Sequence, residues 1–529
     1  MIMPDRTHYA PRGLVCSVDH LASAAGLSLL RSGGSAVDAA VAASAVLAVT
    51  TQHMCGMGGD LVAVLHPGRG AGEPAALVAV GAAGSGADAA ALRAEGHRRM
   101  PYRGDIRTVT MPGCVDGWLA LHARFGRRPL AEVLAPAIGY ASEGFPVSPL
   151  LAAALPAVAE VAGAAELLGD QLPVAGELRR RPALARSLTA IAAAGRDGWY
   201  GGEFGAGLLR VGHGLFDRAD LERDSARWSA PLAVRALGWV LHAPPAPTAG
   251  YLPLAAAAVA EMLDVPSDPR TADWVHLLVE AARVTGYDRE ARLRDGAAPD
   301  ALLDPDELTA LAGRLDAAHA SDLLVPGTPG GTVHLCAVDS AGQCVSLSQS
   351  NAAGFGAHLT VPETGVFLQN RGVGFSLRPG TGNELAPGRR PNSTLAPVLT
   401  TADAGDPVAV LGTMGGDAQP QVVLQLLARL RAGATPAAAV AAPRWALVGP
   451  EGTGFDTWDT KSGGLSRQVV RIEDGAPDAW YDGLSARGHR VERAAAGGGF
   501  GHAQVAVLAD GVVGGDADQR AGTGAAVGW

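Results

Sequence analysis

Residues 326–351 read PGTPGGTVHLCAVDSAGQCVSLSQSN. The stretch begins as a Pro/Gly loop and changes, across two glycines, into an alternating pattern. Val333, Leu335 and Ala337 alternate with His334, Cys336 and Val338, the period of two that sends successive side chains to opposite faces of a sheet. Residues 339–342, DSAG, are a turn signal, and QCVSLSQS (343–350) alternates again. A β-hairpin is therefore predicted, with Thr332 as its first residue. A threonine hydroxyl is a weak nucleophile unless a base sits beside it. One arrangement makes the threonine the chain's own N-terminus, so that its α-amine is the base. Such an amine has an intrinsic pKa of roughly 7.7–8.0 and is substantially basic near neutrality. An internal Thr332 reaches that state only if the Gly331–Thr332 bond is cut. Gly331 suits the cut, because glycine tolerates strained backbone angles and leaves its carbonyl open to the neighbouring hydroxyl. On local pattern alone, the plain alternative of a loop entering a strand stays open.

The bulk numbers bound the rest. The chain has 529 residues, more than one ordinary core at about 150 residues per domain. With 48% hydrophobic and 18% charged residues, it reads as globular. Net charge is −10, pI is about 5.8 and no basic stripe appears, so a nucleic-acid partner is not expected. The first residues lack a charged segment followed by an apolar run, so no signal peptide is predicted. No uninterrupted apolar run reaches about 18 residues, so no membrane span is predicted. The five cysteines form no CxxC pair, which suggests free buried thiols and a cytoplasmic location. Lys461, in TKSGG, is the only lysine. It does not complete a phosphate-binding GxxxxGK[ST] loop, and nothing recommends it as a pyridoxal Schiff base. GxSxG and HExxH are absent. The 14 histidines lack ligand spacing, so neither a metal nor a cofactor is expected. DADQR (516–520) is only superficially calcium-like and reads as a loop.

Along the chain, GLVCSVD (13–19) reads as a strand, and HLASAAGLSLLRSGG as a helix closed by Gly33 and Gly34. Ser35 and Asp38 have capping-box spacing and open a second helix, too apolar all round for a surface position. CGMGGDLVAVL (55–65) is a glycine turn into a strand. Residues 115–145 and 147–165 read as mostly helical, as does RPALARSLTAIAAAG. APLAVRALGWVLHAP gives strands, and AGYLPLAAAAVAEML and WVHLLVEAARVTGYDREARL give helices. Strands are predicted at 365–370, 395–400 and 407–417, with a last hairpin at 504–515 turning at Asp510-Gly511.

These segments carry a family resemblance over nearly the whole chain. The opening GLVCSVDHLASAAGLSLLRSGGSAVDAAVAASAVLAVTTQHMCGMGGD, then VTMPGCVDGWLALHARFGRRPLAEVLAPAIGYASEGFPVS, GTVHLCAVDSAGQCVSLSQS, FGAHLTVPETGVFLQNRG, LAPGRRPNSTLAPVL and GTMGGDAQPQ follow one another in the order of the γ-glutamyltransferase (γ-glutamyl transpeptidase) family. That family belongs to the N-terminal-nucleophile hydrolases. QNRG, FSLRPG and GGDAQPQ resemble its signal-less bacterial branch best. The resemblance implies an α/β (α+β) fold, a four-layer αββα sandwich, made of a large fragment 1–331 and a small fragment 332–529. Autocleavage at Gly331–Thr332 would produce them, and they would stay together as a heterodimer that could pair further. It implies Thr332 as nucleophile and α-amine base, and Ser350 as the hydroxyl that supports it. Gly415 and Gly416 would be the oxyanion donors, and Ser393 and Thr394 substrate-binding hydroxyls. Asn370 and Arg371 lie in the substrate-binding QNRG block. His334 reads as a packed core residue, and His20, His53 and Asp60 as structural.

Two departures bear on substrate. Transpeptidases of this family hold the γ-glutamyl α-carboxylate with an arginine, where this chain aligns Ser85, and the α-amino group with an aspartate, where it has Gly374. Arg371, Ser393 and Thr394 remain and suit a small carboxylate. The resemblance therefore implies an N-terminal threonine hydrolase or acyltransferase acting on an amide of a small acidic substrate. Relatives in this branch include an oxamate amidohydrolase. Three alternatives remain open. The first is a C–C bond hydrolase that removes an oxalyl-type group in an actinobacterial natural-product pathway, which the Ala/Gly/Arg-rich composition keeps in view. The second is a genuine γ-glutamyl transpeptidase or glutathione hydrolase, and the third an inactive, unprocessed paralogue.

Overall fold

The computed structural model describes residues 6–323, 330–448, 468–509 and 511–529. The loop residues 326–329, Lys461 and the turn residue Asp510 lie outside them. Fourteen strands build two seven-stranded sheets. In chain order they are β1 (His8–Ala10), β2 (Gly13–Ser17), β3 (Asp60–His66), β4 (Ala75–Ala79), β5 (Arg227–Ser229), β6 (Leu232–Ala236), β7 (Trp239–Ala243), β8 (Gly331–Asp339), β9 (Cys344–Ala352), β10 (Val398–Thr401), β11 (Pro407–Thr413), β12 (Ala503–Ala509), β13 (Val512–Ala517) and β14 (Ala525–Gly528). One sheet runs β14-β2-β8-β9-β3-β4-β5 and the other β1-β13-β12-β11-β10-β7-β6. All pairs in both are antiparallel. Each sheet draws strands from both sides of residue 332, so the two segments are interleaved rather than side by side.

The hairpin pattern sets the layers. On the first sheet Val15, Leu61, Ala63, Leu335, Val345 and Leu347 face a core made with the helices α1 (His20–Arg31), α2 (Ala36–Thr50), α3 (Cys114–Phe125), α4 (Leu130–Glu143) and α5 (Pro182–Trp199). Their neighbours of opposite parity, Cys16, Val64, Cys336, Val338 and Cys344, meet Leu399, Val410, Ala506 and Val513 of the second sheet. That sheet buries Leu232, Leu241, Val398, Leu411 and Val505 against α6 (Tyr251–Met262), α7 (Ala272–Gly286) and α8 (Gln419–Arg431). The stack is helix, sheet, sheet, helix, the four-layer sandwich expected from the resemblance.

Local signals hold at several places. Ser35 and Asp38 form the capping box, and every residue of α2 is buried, as its uninterrupted apolar character requires. Asp38 Oδ2 also accepts from the Arg127 and Arg128 amides at 2.9 and 3.2 Å. Other expectations are corrected. Residues 147–165 hold only the short helices Pro149–Ala154 and Ala165–Leu168 with a 3₁₀ turn. The run at 365–370 pairs over two residues, Val366–Phe367. The first stretch is broken by Pro149, Pro156 and Gly163, and in both local apolar content misleads.

The gap between the sheets is thin where β8 crosses β11. A Cβ on Gly412 would lie 2.4 Å from His334 Cε1, so the imidazole occupies the space a side chain would fill. His334 Nδ1 pairs with Ser348 Oγ at 3.1 Å, and burial pushes its pKa down to about 3. It is neutral and structural, as the sequence reading held. Burial likewise lowers His53 and His489 to about 3, and His242 and His502 to about 4. In the unfolded chain each takes a proton near pH 6.5, so below that pH the unfolded state binds more protons and stability falls. We predict a melting temperature that is level above about pH 7 and declines steadily from pH 6.5 toward 4. His334→Gln should remove part of the slope. An unchanged melting temperature across that window would contradict this assignment.

Candidate active site

Thr332 is the second residue of β8 and shares the inter-sheet parity of His334 and Cys336. Its partner in the β8–β9 register is Ser350, and the register shifts between Gly331 and Thr332, where Gly331 pairs with Ala352. The skipped residue, Asn351, makes a bulge, and Ala352 takes φ +70°. Bulges re-aim side chains and interrupt ladders. Here the irregularity falls on the peptide bond predicted to be cut. Thr332 Oγ1 donates to Ser350 Oγ at 3.1 Å, and Ser350 Oγ donates to the Gly331 carbonyl at 2.7 Å. The same serine oxygen accepts from the Ala352 amide at 2.9 Å. Both side chains are buried. One hydroxyl thus joins the Thr332 oxygen to the carbonyl that precedes it.

Gly415 and Gly416 follow β11 with φ +129° and +57°, values that favour glycine. They lead through a short 3₁₀ turn into α8, so their amides stand near a helix N-terminus, where partial positive charge favours an anion. A Cβ on Gly330 would sit 2.9 Å from Gly416 Cα and 3.2 Å from its nitrogen. One on Gly331 would meet Ala353 and Gly354 backbone at 3.0 Å. The residues before Thr332 are therefore clasped between the Gly415-Gly416 turn and the 352–354 loop, with no room for side chains.

The predicted substrate residues divide into two groups. Thr394 Oγ1 accepts from Gln419 Nε2 at 3.4 Å, which ties it to the start of α8. Ser393 bridges to Thr248, and its Oγ accepts from the Leu395 amide at 3.4 Å. Asn370 instead holds the loop beside Gly331. Its Oδ1 accepts from the Ala353 amide, and its Nδ2 donates to the Tyr102 carbonyl, both at 2.9 Å. Arg371 Nε donates to Asp60 Oδ2 at 2.8 Å, with both side chains buried. Asp60 is the register partner of Ser350 on β3. That nitrogen is committed to a buried ion pair, which ties the Arg371 side chain to the strand next to Ser350.

The two departures have physical causes in the structure. A Cβ on Gly374 would lie 2.4 Å from the Asn392 carbonyl oxygen, so an aspartate cannot stand there with this backbone. Ser85 is turned onto Asp220, whose Oδ2 accepts from both its amide and its hydroxyl at 2.8 Å. Among residues the sequence reading passed over, Arg103 Nη2 donates to the Gly354 carbonyl at 3.2 Å from an exposed position. Asp518, in the calcium-like segment, pairs with Arg444 at 2.7 Å and Arg520 at 3.1 Å.

Comparison with known proteins agrees with this geometry. The gamma-glutamyltranspeptidase family model matches residues 22–528. An oxamate amidohydrolase proenzyme of Klebsiella pneumoniae is 35% identical, with 99% of each chain covered. An acylase ACY 1 proenzyme of a Pseudomonas species is 32% identical over 91% of this chain and 88% of its own length. The crystal structure of a cephalosporin acylase from Bacillus halodurans superimposes with a TM-score of 0.88 at 29% identity, covering 100% of this chain and 98% of that one. The chain belongs to the gamma-glutamyltranspeptidase family.

Proposed function

We propose that Thr332 is the nucleophile of both its own maturation and substrate turnover, and that the substrate is an amide of a small acid. The observation that carries the reading is the continuous path from Thr332 Oγ1 through Ser350 Oγ to the Gly331 carbonyl oxygen. In maturation, Thr332 Oγ1 attacks the Gly331 carbonyl carbon. Its proton passes to Ser350 Oγ as the serine's own proton moves to the carbonyl oxygen. Collapse transfers the Gly331 acyl group from nitrogen to oxygen, and water hydrolyses the ester. Residues 1–331 end at Gly331, and Thr332 gains a free α-amine. The interleaved sheets keep the fragments together as a heterodimer.

In turnover the α-amine takes the hydroxyl proton and the oxygen attacks the substrate carbonyl. Gly415 and Gly416 amides stabilise the oxyanion, and one such donor is typically worth about 3–4 kcal/mol of barrier. The amine leaves, and water releases the acid from the acyl-enzyme. Substrate class follows from what is missing. A γ-glutamyl donor carries a carboxylate and an ammonium on its α-carbon, and each needs a partner when desolvated. Ser85 and Gly374 cannot supply the usual arginine and aspartate, at roughly 2–5 kcal/mol for each lost charged partner. The oxamate amidohydrolase relative supports the same substrate class.

We predict that Thr332→Ala stays one chain and is inactive. Ser350→Ala removes the acceptor of Thr332 Oγ1 and orphans two backbone groups, at about 1–3 kcal/mol for each buried group left unmet. Its processing, followed on denaturing gels, should slow by about tenfold or more, while Ser350→Thr should process nearly normally. Equal rates for wild type and Ser350→Ala would remove the relay. For turnover, ammonia release from oxamate should exceed p-nitroaniline release from γ-glutamyl-p-nitroanilide by orders of magnitude in kcat/KM. Comparable rates on the two would contradict the small-acid reading.

A further inference from the structure

Two buried histidines from opposite ends of the chain are anchored through their backbones near the Thr332 end of the inter-sheet gap. The register places them. Cys336 Sγ donates to the Val410 carbonyl at 3.3 Å and the Gln504 carbonyl at 3.6 Å, and His334 fills the space over Gly412. Two residues on from Gly412 and Gln504 along their strands, the Met414 amide donates to the His502 carbonyl at 3.3 Å, and two residues back from His334 on its strand stands Thr332. Ala506, Gln504 and His502 share one parity on the β12 segment, and Ala506 packs in the inter-sheet core, so His502 faces the same gap. Gly501, the residue before it, packs against the oxyanion turn, 3.6 Å from a Cβ on Gly415. His53 arrives from the other side. Its carbonyl accepts from the Phe355 amide at 3.1 Å, and the neighbouring Met54 carbonyl accepts from Asn351 at the bulge. The two imidazoles lie close enough for charge on His502 to disfavour charge on His53.

Their hydrogen bonding sets them apart. His53 and His502 are 8% and 3% exposed, yet none of their four ring nitrogens has a partner among the described residues. The buried histidines His66, His242, His276, His334 and His489 each have at least one. A neutral imidazole carries one donor and one acceptor, and burying both unmet is costly. A pair kept this way beside a nucleophile is suited to a ligand not yet in place. An incoming anion would accept an N–H from each ring, and its charge would offset the burial that now keeps them neutral.

We propose that His53 and His502 are the carboxylate-binding pair of this enzyme, gripping the acid end of the substrate while Thr332 attacks its amide carbonyl. The proposal rests on the small-acid reading above and supplies the anion partner that Ser85 does not. In the uncleaved chain Gly330 and Gly331 fill the space between Gly416 and the 353–354 backbone. Cleavage releases them as a chain end, which opens the gap to ligand. The pair is thus assembled from both fragments, 1–331 and 332–529, so substrate recognition requires that they remain associated.

The test uses the matured wild-type protein, His53→Gln, His502→Gln and, as a rim control, Arg103→Gln, with oxalate as the probe in calorimetry. Oxalate affinity should fall at least tenfold in each histidine variant. The preference for oxamate over its neutral analogue oxamide, as a ratio of kcat/KM, should fall at least tenfold as well. Unchanged oxalate affinity in both variants, or an unchanged preference with both substrates slowed equally as for a proton relay, would overturn the pair while leaving the hydrolase reading intact. So would loss of oxalate binding in Arg103→Gln alone. Should the variants fail to mature, imidazole nitrogen NMR of the wild type decides. Oxalate should move two histidines toward the hydrogen-bonded, charged form, and no response would overturn the proposal. A wild-type protein that neither binds oxalate nor hydrolyses oxamate would overturn the small-acid reading and this pair together.

Discussion

The Ser350 hydroxyl is the contact on which the site depends. It is buried, accepts from Thr332 Oγ1 and the Ala352 amide, and donates to the Gly331 carbonyl. A hydroxyl has one proton and two acceptor positions, so Ser350 is saturated. That saturation fixes where Thr332 and the preceding carbonyl stand relative to each other. The bulge at Asn351 makes it possible, because a regular ladder would point the Gly331 carbonyl along the strand pairing rather than at a side chain. Asn370 then holds the bulge through the Ala353 amide, and the buried Arg371–Asp60 pair lies behind it. The QNRG block is thus anchored directly behind the 331–332 bond.

The second constraint is the thinness of the inter-sheet layer. His334 fills the space over Gly412, and a Cβ on Gly515 would sit 2.7 Å from Leu14 Cδ2. Small residues let the sheets approach, and the approach brings the Gly415-Gly416 turn of one sheet over Gly330 of the other. Thr332 belongs to one sheet, and the Gly415-Gly416 turn, its proposed oxyanion donors, follows a strand of the other. Their relation is therefore only as firm as the packing between the layers, which links the core to the chemistry.

Much of this was legible in the sequence. The 332–350 hairpin, the capping box at Ser35 and the wholly buried α2 follow from period and cap chemistry, and the layer order followed from family resemblance. Thr332, Ser350 and the two glycines were found through motifs, and the structure brings them together. The buried partner of Arg371 was not legible, because an arginine beside a motif does not reveal Asp60, 311 positions away in the chain. The missing aspartate at Gly374 was legible, but its physical reason, that the Asn392 backbone leaves no room for a side chain, was not. His53 and His502 were invisible as a pair. They are separated by most of the chain, neither lies in ligand spacing, and only the sandwich reveals that the ring nitrogens of both lack partners among the described residues.

The central claim is that one hydroxyl, held by Ser350 against the Gly331 carbonyl, cuts its own chain. Intact-mass analysis of freshly synthesised protein, sampled over time and at several concentrations, tests it most directly. The account predicts two fragments, 1–331 and 332–529, whose masses sum to that of the chain plus one water, formed at a first-order rate independent of concentration. A chain that stays whole, a cut at another bond, or a rate that rises with protein concentration would contradict it.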